Sequence, residues 1–508
     1  MSRTTTSPRI LIVTPEVTYL PDRMGSFANF LMAKAGGLAD VSAALVKALS
    51  DQGADVHVAL PDYRAIFKNR LAPFLEKEQS TIRRIMPDDR VHLAQDRAFY
   101  YMNQVYSHYG GENTKLAVTF QREVINNIIP RVRPDLIHCN DWMTGLIPGM
   151  ARQMGIPSLF TVHNIHTVHA TLAQIEDRGI DAAFFWQNLY YKKMADGYES
   201  TRTTNPVDFL VSGVFGAHFV NTVSPTFLQE IADGRHDFVP PPLQQELANK
   251  VHAGCAVGIL NAPDPGFTPA ADSHLTIKYT TDTHGDGKQK NKMDLQDHLG
   301  LIKDPGAPLF FWPSRLDPIQ KGCQLLADIF YRVISTWWEK NLQIVFVADG
   351  DYQQVFRDIV FQHGFQNRVA VCDFDETLEH LGYAASDFML MPSRFEPCGL
   401  PQMIAPIYGS LPVAHNTGGI HDTIEHLNVA ANRGNGFLFD YYDADGLFWA
   451  IEEAMRFFDQ PAKTKADQVG RIMRQSQSDF THTATARQYI DLYEKMLQRP
   501  LLPPASVS

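Results

Sequence analysis

Short apolar runs alternate with longer helical segments along this chain, and that alternation constrains the fold more than any other feature. In the first half the apolar runs predict strands at Arg9–Glu16, Asp55–Pro61, Asp135–Asp141, Pro157–Asn164 and His218–Ser224. In the second half they predict strands at Leu309–Arg315, Leu342–Asp351, Arg368–Phe374, Asp387–Ser393 and Leu411–Gly419. Strands separated by helices imply βαβ units and a parallel sheet. The sequence therefore predicts an α/β fold with two Rossmann-like halves.

The length of the chain favours two domains. The chain has 508 residues, and a single hydrophobic core stops growing at about 250–300 residues. The composition changes over residues 263–306, which are rich in Pro and Ala and then in polar residues and Gly. We therefore predict an N-terminal Rossmann-like domain over residues 1–262, a linker over 263–306 and a C-terminal Rossmann-like domain over 307–480. Ligands of such sheets bind beyond the carboxyl ends of the strands, and we expect a cleft there.

Charge and cysteine content narrow the functional classes. The net charge of −11 argues against a nucleic-acid partner, because such proteins carry a basic face. The five cysteines are an odd number at wide spacing, so we expect no disulfide framework and a reducing cytoplasm. The residues before the first strand, MSRTTTSPR, are too few for a targeting peptide. No run of about 18 apolar residues occurs, so we predict no membrane partner.

Two segments place cations beside glycines at the start of a predicted helix. KAGGLADV (Lys34–Val41) puts Lys34 before two glycines, whose backbone N–H groups can hold a phosphate. SRLDPIQKG (Ser314–Gly322) puts Arg315 just after a strand and Lys321 six residues later, which suits a diphosphate leaving group. Taken singly, each pattern is more often an ordinary turn with solvated cations.

A sharp turn follows the predicted strand that ends near Ser393. In SRFEPCGL, Pro397 and Gly399 break the chain at once, and the turn aims Glu396 at the predicted cleft. NTGGIHDTI repeats the arrangement of a loop, two glycines and a helix, and so offers further N–H donors to a phosphate or a carboxylate. The alternative interpretation of Glu396 is a carboxylate at a helix start, where the helix dipole favours it.

Metal-binding and nucleotide-hydrolysis motifs are weak or missing in the sequence. His163, His166 and His169 have no matching set of Cys or carboxylate ligands, so we predict no zinc site. The D-x-D pairs Asp373–Asp375 and Asp443–Asp445 are common patterns in a chain with this much acid. The sequence contains neither GxxxxGK[ST] nor GxGxxG, which argues against nucleotide hydrolysis and dinucleotide oxidoreduction.

Taken together, these segments resemble the bacterial glycogen synthase and plant starch synthase family. The family's motifs occur in order over Arg9–Leu497 as KAGGLADV, NDWMTGL, TVHNIH, NTVSPTFLQEI, GILNAPD, SRLDPIQKG, PSRFEPCGLPQM, NTGGIHDTI and GNGFLFD. The resemblance implies the GT-B fold, with two Rossmann-like domains facing across a deep cleft. It also implies a C-terminal helix and tail, residues 481–508, that cross back to the N-terminal domain.

The resemblance further implies an activity. A nucleotide-sugar donor, ADP-glucose, would give its glucose to the non-reducing end of an α-1,4-glucan acceptor, with retention of configuration. Cationic side chains can neutralise the diphosphate that leaves, so we expect no metal and no other cofactor. A glycosidase would need two carboxylates flanking the bond, whereas this sequence offers one strong carboxylate and a phosphate clamp.

In the N-terminal half, the resemblance implies roles for residues of the loop that begins at Lys34 and of two strand ends. Lys34 would meet the donor phosphate or sugar, with Gly36 and Gly37 allowing close backbone approach. Asp141 and His163 would lie near the transferred glucose and the acceptor.

In the C-terminal half, the resemblance implies a complete donor site. Arg315 and Lys321 would clamp the diphosphate, and Glu396 would be the main catalytic carboxylate, holding the glucose hydroxyls. The other implied substrate-binding residues are Asn261 facing the sugar, Phe374 against the nucleobase, Cys398, Gly399 and Leu400 in the turn, and Thr417, Gly418 and Gly419 around the phosphates.

The sequence departs from the family pattern at several points. Lys321 follows Arg315 by one residue more than usual, and Met143 stands where the family often has His. NAPDPGFTP replaces the usual residues near the linker, and Thr18–Ala33 is an insertion before Lys34. Two alternatives therefore stay open: a related retaining glycosyltransferase that uses UDP-glucose or another acceptor, and a catalytically silent paralogue that binds glucan.

Overall fold

The chain folds into two compact units in a computed structural model that describes residues 7–21, 24–25, 31–35, 37–67 and 90–502. The first unit comprises the described residues of Met1–Ile259 and His482–Ser508, and the second is Leu260–Thr481. Gly36 and part of the insertion before Lys34, namely residues 22–23 and 26–30, lie outside the described residues.

The first unit is built on a parallel sheet of seven strands. Its strands are β1 (Arg9–Val13), β2 (Asp55–Pro61), β3 (Val91–Ala94), β4 (Leu136–Asn140), β5 (Ser158–Val162), β8 (Phe219–Thr222) and β9 (Ala256–Gly258), and the short strands β6 (His169–Ala170) and β7 (Val207–Asp208) pair antiparallel apart from it. The sheet order is β3-β2-β1-β4-β5-β8-β9. Every residue of β4 and β5 is buried, as expected for a parallel sheet covered by helices on both faces.

The second unit repeats this plan with six parallel strands. They are β10 (Leu309–Trp312), β11 (Gln343–Val347), β12 (Val369–Cys372), β13 (Phe388–Met391), β14 (Leu411–His415) and β15 (Phe437–Phe439). The sheet order is β12-β11-β10-β13-β14-β15. Counted from β10, this is the order 3-2-1-4-5-6 of the doubly wound Rossmann fold. The chain therefore winds outward in one direction from β10 and in the other from β13.

Helices connect the strands of both units. Those of the first unit are Gly37–Asp51, Arg97–Tyr100, Gly110–Glu123, Ile129–Val132, Ile147–Gln153, Leu172–Glu176, Tyr198–Thr201, Phe209–Gly216, Pro225–Ala232, Pro241–His252 and His482–Leu497. Those of the second are His284–His298, Cys323–Thr336, Gln353–His363, Glu376–Ala385, Pro401–Ile407, Gly418–Thr423, Ala444–Phe458 and Ala462–Asp479. Local sequence sets many of the helix starts. At Pro225, for example, the preceding Ser224 accepts a hydrogen bond from the backbone of Phe227.

The C-terminal helix His482–Leu497 belongs to the first unit. Two of its tyrosines meet buried polar groups of the sheet: Tyr493 bonds His138 of β4, with 2.7 Å between Oη and Nδ1, and Tyr489 accepts a bond from Asn221 Nδ2 at 3.0 Å. Because buried polar groups need partners, these contacts fix the helix on the sheet. The chain thus leaves the first unit after Ile259 and returns to it at His482.

Residues 263–306, which composition predicts as a linker, are part of the second unit and include the helix His284–His298. The Lys288 amine donates to the backbone oxygens of Ala384 and Tyr408, at 3.0 Å each. Burial lowers the pKa of this lysine to about 7. The polar character that makes the segment resemble a linker therefore serves buried contacts.

Asp272, in the same segment, forms a second buried anchor. Its Oδ2 accepts hydrogen bonds from His380 Nδ1 at 2.7 Å and from the Tyr408 hydroxyl at 2.6 Å. Burial raises the pKa of this carboxyl, but the two hydrogen bonds outweigh that effect and hold the pKa at about 2. Of the helices in the described ranges, none is both long and apolar enough to cross a membrane.

Candidate active site

The candidate donor site lies where the strand order of the second unit reverses. β10 and β13 are neighbours in the sheet, and the chain leaves their carboxyl ends toward opposite sides. Ligands of doubly wound sheets bind in the crevice that this reversal creates. Ser314 and Arg315 follow β10, and Ser393 and Glu396 follow β13. Topology therefore brings together two motifs that are far apart in the sequence.

A buried ion pair joins these motifs. The Lys321 amine donates to Glu396 Oε2 at 2.5 Å, and the two side chains are only 11% and 7% exposed. Ser393 Oγ donates to the same oxygen at 3.3 Å. The extra residue between Arg315 and Lys321 does not keep Lys321 from Glu396. Removing one member of a buried ion pair leaves an uncompensated buried charge, so we expect substitution of either residue to lower the stability of the fold.

Glycines allow the backbone segments around this ion pair to approach closely. Gly322 has φ +71°, and a Cβ there would lie 1.8 Å from the backbone oxygen of Pro392. A Cβ on Gly419 would lie 2.0 Å from the backbone oxygen of Cys398, and the Gly419 amide donates to the backbone oxygen of Glu396 at 2.9 Å. Only glycine fits at either position.

Arg315 lies exposed at the end of β10. Within the described part of the chain, its guanidinium makes no hydrogen bond or ion pair. Asp317 shapes the loop that follows, because its Oδ1 accepts from the amides of Ile319 and Gln320 at 2.8 Å each. The loop thus holds one exposed cation and one buried cation, Lys321, near the same strand end. An exposed guanidinium with unused donors is suited to a phosphate.

Phe374 presents an aromatic ring at the carboxyl end of β12. Its side chain is 53% exposed, and its amide donates to Asp349 Oδ1 at 3.0 Å. The carboxylates on either side of it serve the protein itself. Asp373 pairs with Arg357 at 2.8 Å, and Asp375 caps the helix Glu376–Ala385. The loop therefore displays the ring as a flat apolar surface, as stacking on a base requires.

Three buried side-chain oxygens near these loops have no hydrogen-bond partner among the described residues: Ser314 Oγ, Asn261 Oδ1 and Gln402 Oε1. A buried polar atom without a partner is costly in a protein and needs an explanation, such as a ligand. Asn261 is close to Cys398. Burial raises the pKa of that thiol to about 12, and a backbone hydrogen bond with Asn261 opposes this in part.

The remaining predicted donor-site residues lie in the two turns beside Glu396. Gly399 has φ +71° and precedes Leu400, where the helix Pro401–Ile407 is about to begin. Thr417 precedes the helix Gly418–Thr423, and Gly418 has φ +45°. The structure thus gathers the predicted C-terminal residues at one sheet edge, while their individual roles stay predictions.

In the first unit, Asp141 stands in a strained conformation at the end of β4. Its φ of +55° and ψ of −176° lie in a region that is normally restricted to glycine. Its Oδ1 accepts from the His163 amide at 2.8 Å and its Oδ2 from Asn164 Nδ2 at 2.6 Å. Burial raises the pKa of Asp141 to about 7. Hydrogen bonds from the backbones of His163 and Asn164 oppose this rise, and the charge of Glu16 adds to it.

His163 follows β5 and bonds the neighbouring strand end through Nε2, 3.0 Å from Asn140 Oδ1. Desolvation lowers the pKa of the imidazole to about 4, so the ring is neutral at pH 7. His166 contacts the Trp142 ring, and His169 lies 3.2 Å from Asp208. The three histidines therefore have separate neighbours.

Lys34 and Gly37 lie at the start of the helix Gly37–Asp51. The Lys34 amine pairs with Asp40 at 2.8 Å, and both side chains are substantially exposed. A side chain at Gly37 would meet no atom within 4 Å, so the backbone there is open to approach. Gly36 lies outside the described residues.

Comparison with known proteins decides the family. The family model described as the starch synthase catalytic domain matches residues 9–238, and the model described as glycosyl transferases group 1 matches residues 307–456. A glycogen synthase of Exiguobacterium sibiricum is 32% identical over 492 residues, which cover 91% of this chain and 95% of that protein. This chain belongs to the glycogen synthase family. A second glycogen synthase, from Geobacillus thermodenitrificans, is 31% identical and covers 92% and 96% of the two chains.

Solved structures agree with this assignment to the glycogen synthase family. The catalytic domain of starch synthase IV from Arabidopsis thaliana, bound to ADP and acarbose, matches with a TM-score of 0.74 and 26% identity over 97% of this chain and all of that one. Sucrose-phosphate synthase from Thermosynechococcus elongatus has a TM-score of 0.55 at 17% identity, covering 97% and 99% of the two chains, which shows the fold alone. The chain is thus a GT-B hexosyltransferase, and the predicted fold class and family are confirmed.

Sequence reasoning missed one charged residue of this glycogen synthase homologue. Glu16 is the last residue of the predicted first strand, three residues beyond the end of β1 at Val13, and it is buried, 2% exposed. It accepts hydrogen bonds from the Ala35 amide and the Tyr106 hydroxyl. An acid at the carboxyl end of a predicted parallel strand was a usable signal, because functional groups collect at those ends.

Proposed function

We propose that the protein transfers glucose from ADP-glucose to the non-reducing end of an α-1,4-glucan, with retention of configuration. The observation that carries this proposal is the buried Lys321–Glu396 pair beside the exposed Arg315, at the strand-order reversal of the second unit. Family membership supports the glucosyl transfer. The presence of ADP and acarbose in the related starch synthase IV supports the adenine donor and a glucan acceptor.

The leaving diphosphate is the first requirement of this reaction. As the bond between glucose and phosphate breaks, negative charge grows on the nucleoside diphosphate. Arg315 can bind the diphosphate through two N–H donors in one plane. Lys321 can add a positive charge beside it. These two side chains therefore neutralise the charge that a metal ion neutralises in other enzymes. We therefore propose that no metal is needed. Phe374 would stack on the base, and stacking accepts adenine and uracil alike.

The sugar is the second requirement. Its anomeric carbon becomes oxocarbenium-like, so the groups around the ring must hold it without moving. Glu396 is held by Lys321 and Ser393, which fixes its carboxylate for the glucose hydroxyls. His163, neutral at pH 7, can either donate or accept a hydrogen bond. We assign it and Asp141 to the sugar and the acceptor.

The cellular setting follows from the same proposal. All five cysteines are free, and Cys139, Cys323 and Cys398 are buried. Free thiols suit a reducing compartment, so we propose a cytoplasmic enzyme whose partners are the donor and the glucan, with no nucleic acid and no membrane partner.

The proposal predicts a donor preference that can be measured directly. Glucose incorporation into glycogen from ADP-glucose should exceed incorporation from UDP-glucose by at least about 10-fold in kcat/KM, or about 1.4 kcal/mol of transition-state discrimination. The assay is run in EDTA, and full activity there is expected. Faster transfer from UDP-glucose would favour the alternative donor. Glycogen binding without incorporation from either donor would favour the silent paralogue.

A further inference from the structure

The candidate site in the first unit has two parts, the loop that carries Lys34 and the turn that carries Asp141, and Glu16 lies between them. It follows β1, whose neighbour in the sheet, β4, ends at Asn140 beside Asp141. These two strands form the strand-order reversal of the first sheet, as β10 and β13 do in the second. The side chain is buried, and a carboxyl group in such a position is costly unless it is hydrogen-bonded.

The two oxygens of Glu16 bind two different segments. Oε2 accepts from the backbone amide of Ala35 at 2.7 Å, which fixes the residue directly after Lys34. Oε1 accepts from the Tyr106 hydroxyl at 2.9 Å. The Tyr106 ring in turn contacts Trp142, with 5.8 Å between ring centroids, and Trp142 adjoins Asp141. One carboxylate thus connects the Lys34 loop to the turn that carries Asp141.

We propose that Glu16 is a positioning residue that holds the Lys34 loop and Tyr106 in the geometry needed for transfer. On the other side of Lys34, Ala33 is held by a backbone pair with Val17, at 2.9 Å in each direction. The Lys34 side chain itself has only an exposed ion pair with Asp40 among the described residues, and such pairs hold a side chain weakly. The inference rests on the proposed function, since it assigns the loop to the donor. Glu16 also lies close enough to Asp141 to add to the rise in the pKa of that carboxyl.

The test compares Glu16→Ala, Glu16→Gln and Tyr106→Phe in the ADP-glucose assay, with KM measured for donor and for glycogen. Glu16→Ala should lower kcat/KM for ADP-glucose by about 100-fold, the loss expected when a reacting group is misplaced by about 1 Å, with most of the loss in donor KM. Glutamine keeps an acceptor for Ala35 and a polar partner for Tyr106, so Glu16→Gln should recover activity to within about 5-fold of wild type. Tyr106→Phe removes one contact and should cost about 5-fold.

Glu123→Gln is the matched control. It is a partly buried glutamate of the same unit that pairs with Arg122, and it should behave as wild type. Wild-type kinetics in Glu16→Ala would overturn the inference. Equal losses in Glu16→Ala and Glu16→Gln would also overturn it, since the carboxylate itself would then be required. A change confined to the KM for glycogen would contradict the assignment of the Lys34 loop to the donor. An inactive wild type would instead refute the proposed function.

Discussion

Glu396→Gln is expected to lower kcat by about 10²–10³-fold while leaving donor KM within a few-fold. Glutamine preserves the size of the side chain but removes the charge that balances the Lys321 amine, 2.5 Å away. The glucose hydroxyls would then lose a charged acceptor that is held rigidly, and the loss falls on the transition state. Steady-state kinetics with ADP-glucose and glycogen measure both quantities.

The same substitution should also reduce stability. Leaving one member of a buried ion pair uncompensated costs about 3–5 kcal/mol in general, and the hydrogen bond that glutamine retains should keep the cost near the lower value. Glu425→Gln is the control, because Glu425 pairs with Arg433 at the surface of the same unit, where a pair contributes about 1 kcal/mol or less. Full turnover in Glu396→Gln would remove Glu396 from the catalytic assignment, and equal thermal shifts in the two variants would contradict the buried-pair argument.

Gly322→Ala should be strongly destabilising and nearly inactive. The backbone φ of +71° disfavours any side chain, and the new Cβ would lie 1.8 Å from the Pro392 oxygen, so one of the two segments must move. Left-handed backbone costs about 1–2 kcal/mol and overpacking about 1–3 kcal/mol, giving about 2–5 kcal/mol in all. Movement at residue 322 also displaces the neighbouring Lys321 from Glu396.

Gly364→Ala separates the cost of the left-handed backbone from the cost of the steric clash. Gly364 ends the helix Gln353–His363 with φ +69°, but a Cβ there would meet no atom within 4 Å. It should cost only the conformational part, about 1–2 kcal/mol, and keep its activity. Urea unfolding midpoints and glucosyl transfer, measured on both variants, test the prediction. Similar losses of stability and activity in the two variants would show that the close approach of Gly322 to Pro392 does not contribute to either.

The regular part of the fold was open to prediction because its signals are local. The alternation of apolar runs and helical segments placed ten of the strand regions, including β10 and β13, whose ends carry Arg315 and Glu396. Short strands escaped it. Val91–Ala94 has only four residues, one of which is the polar His92, and Ala256–Gly258 has only three, so neither gives a clear apolar run.

The helix His284–His298 escaped prediction for another reason. Its sequence, HGDGKQKNKMDLQDH, carries little apolar periodicity and two internal glycines, so it is typical of a loop. The fold buries two of its three lysines, Lys288 and Lys292, against backbone oxygens and against Asp387 instead of burying an apolar stripe. A polar helix that packs through hydrogen bonds gives no hydrophobic signal.

The geometry of the site is the part that sequence could not supply. Lys321 and Glu396 are 75 residues apart, and only the parallel pairing of β10 with β13 brings them within 2.5 Å. Nothing in NDWM indicates that Asp141 adopts φ +55° or that burial raises its pKa to about 7. Such features depend on the three-dimensional surroundings, so motifs named the residues without giving their contacts.

The most direct test of glucosyl transfer to a glucan is the product itself. Maltopentaose incubated with ADP-[¹³C]glucose and the purified enzyme should yield maltohexaose whose new residue, read by NMR, is α-1,4-linked at the non-reducing end. A product with a β linkage, growth at the reducing end, or release of free glucose without elongation would contradict the proposed reaction.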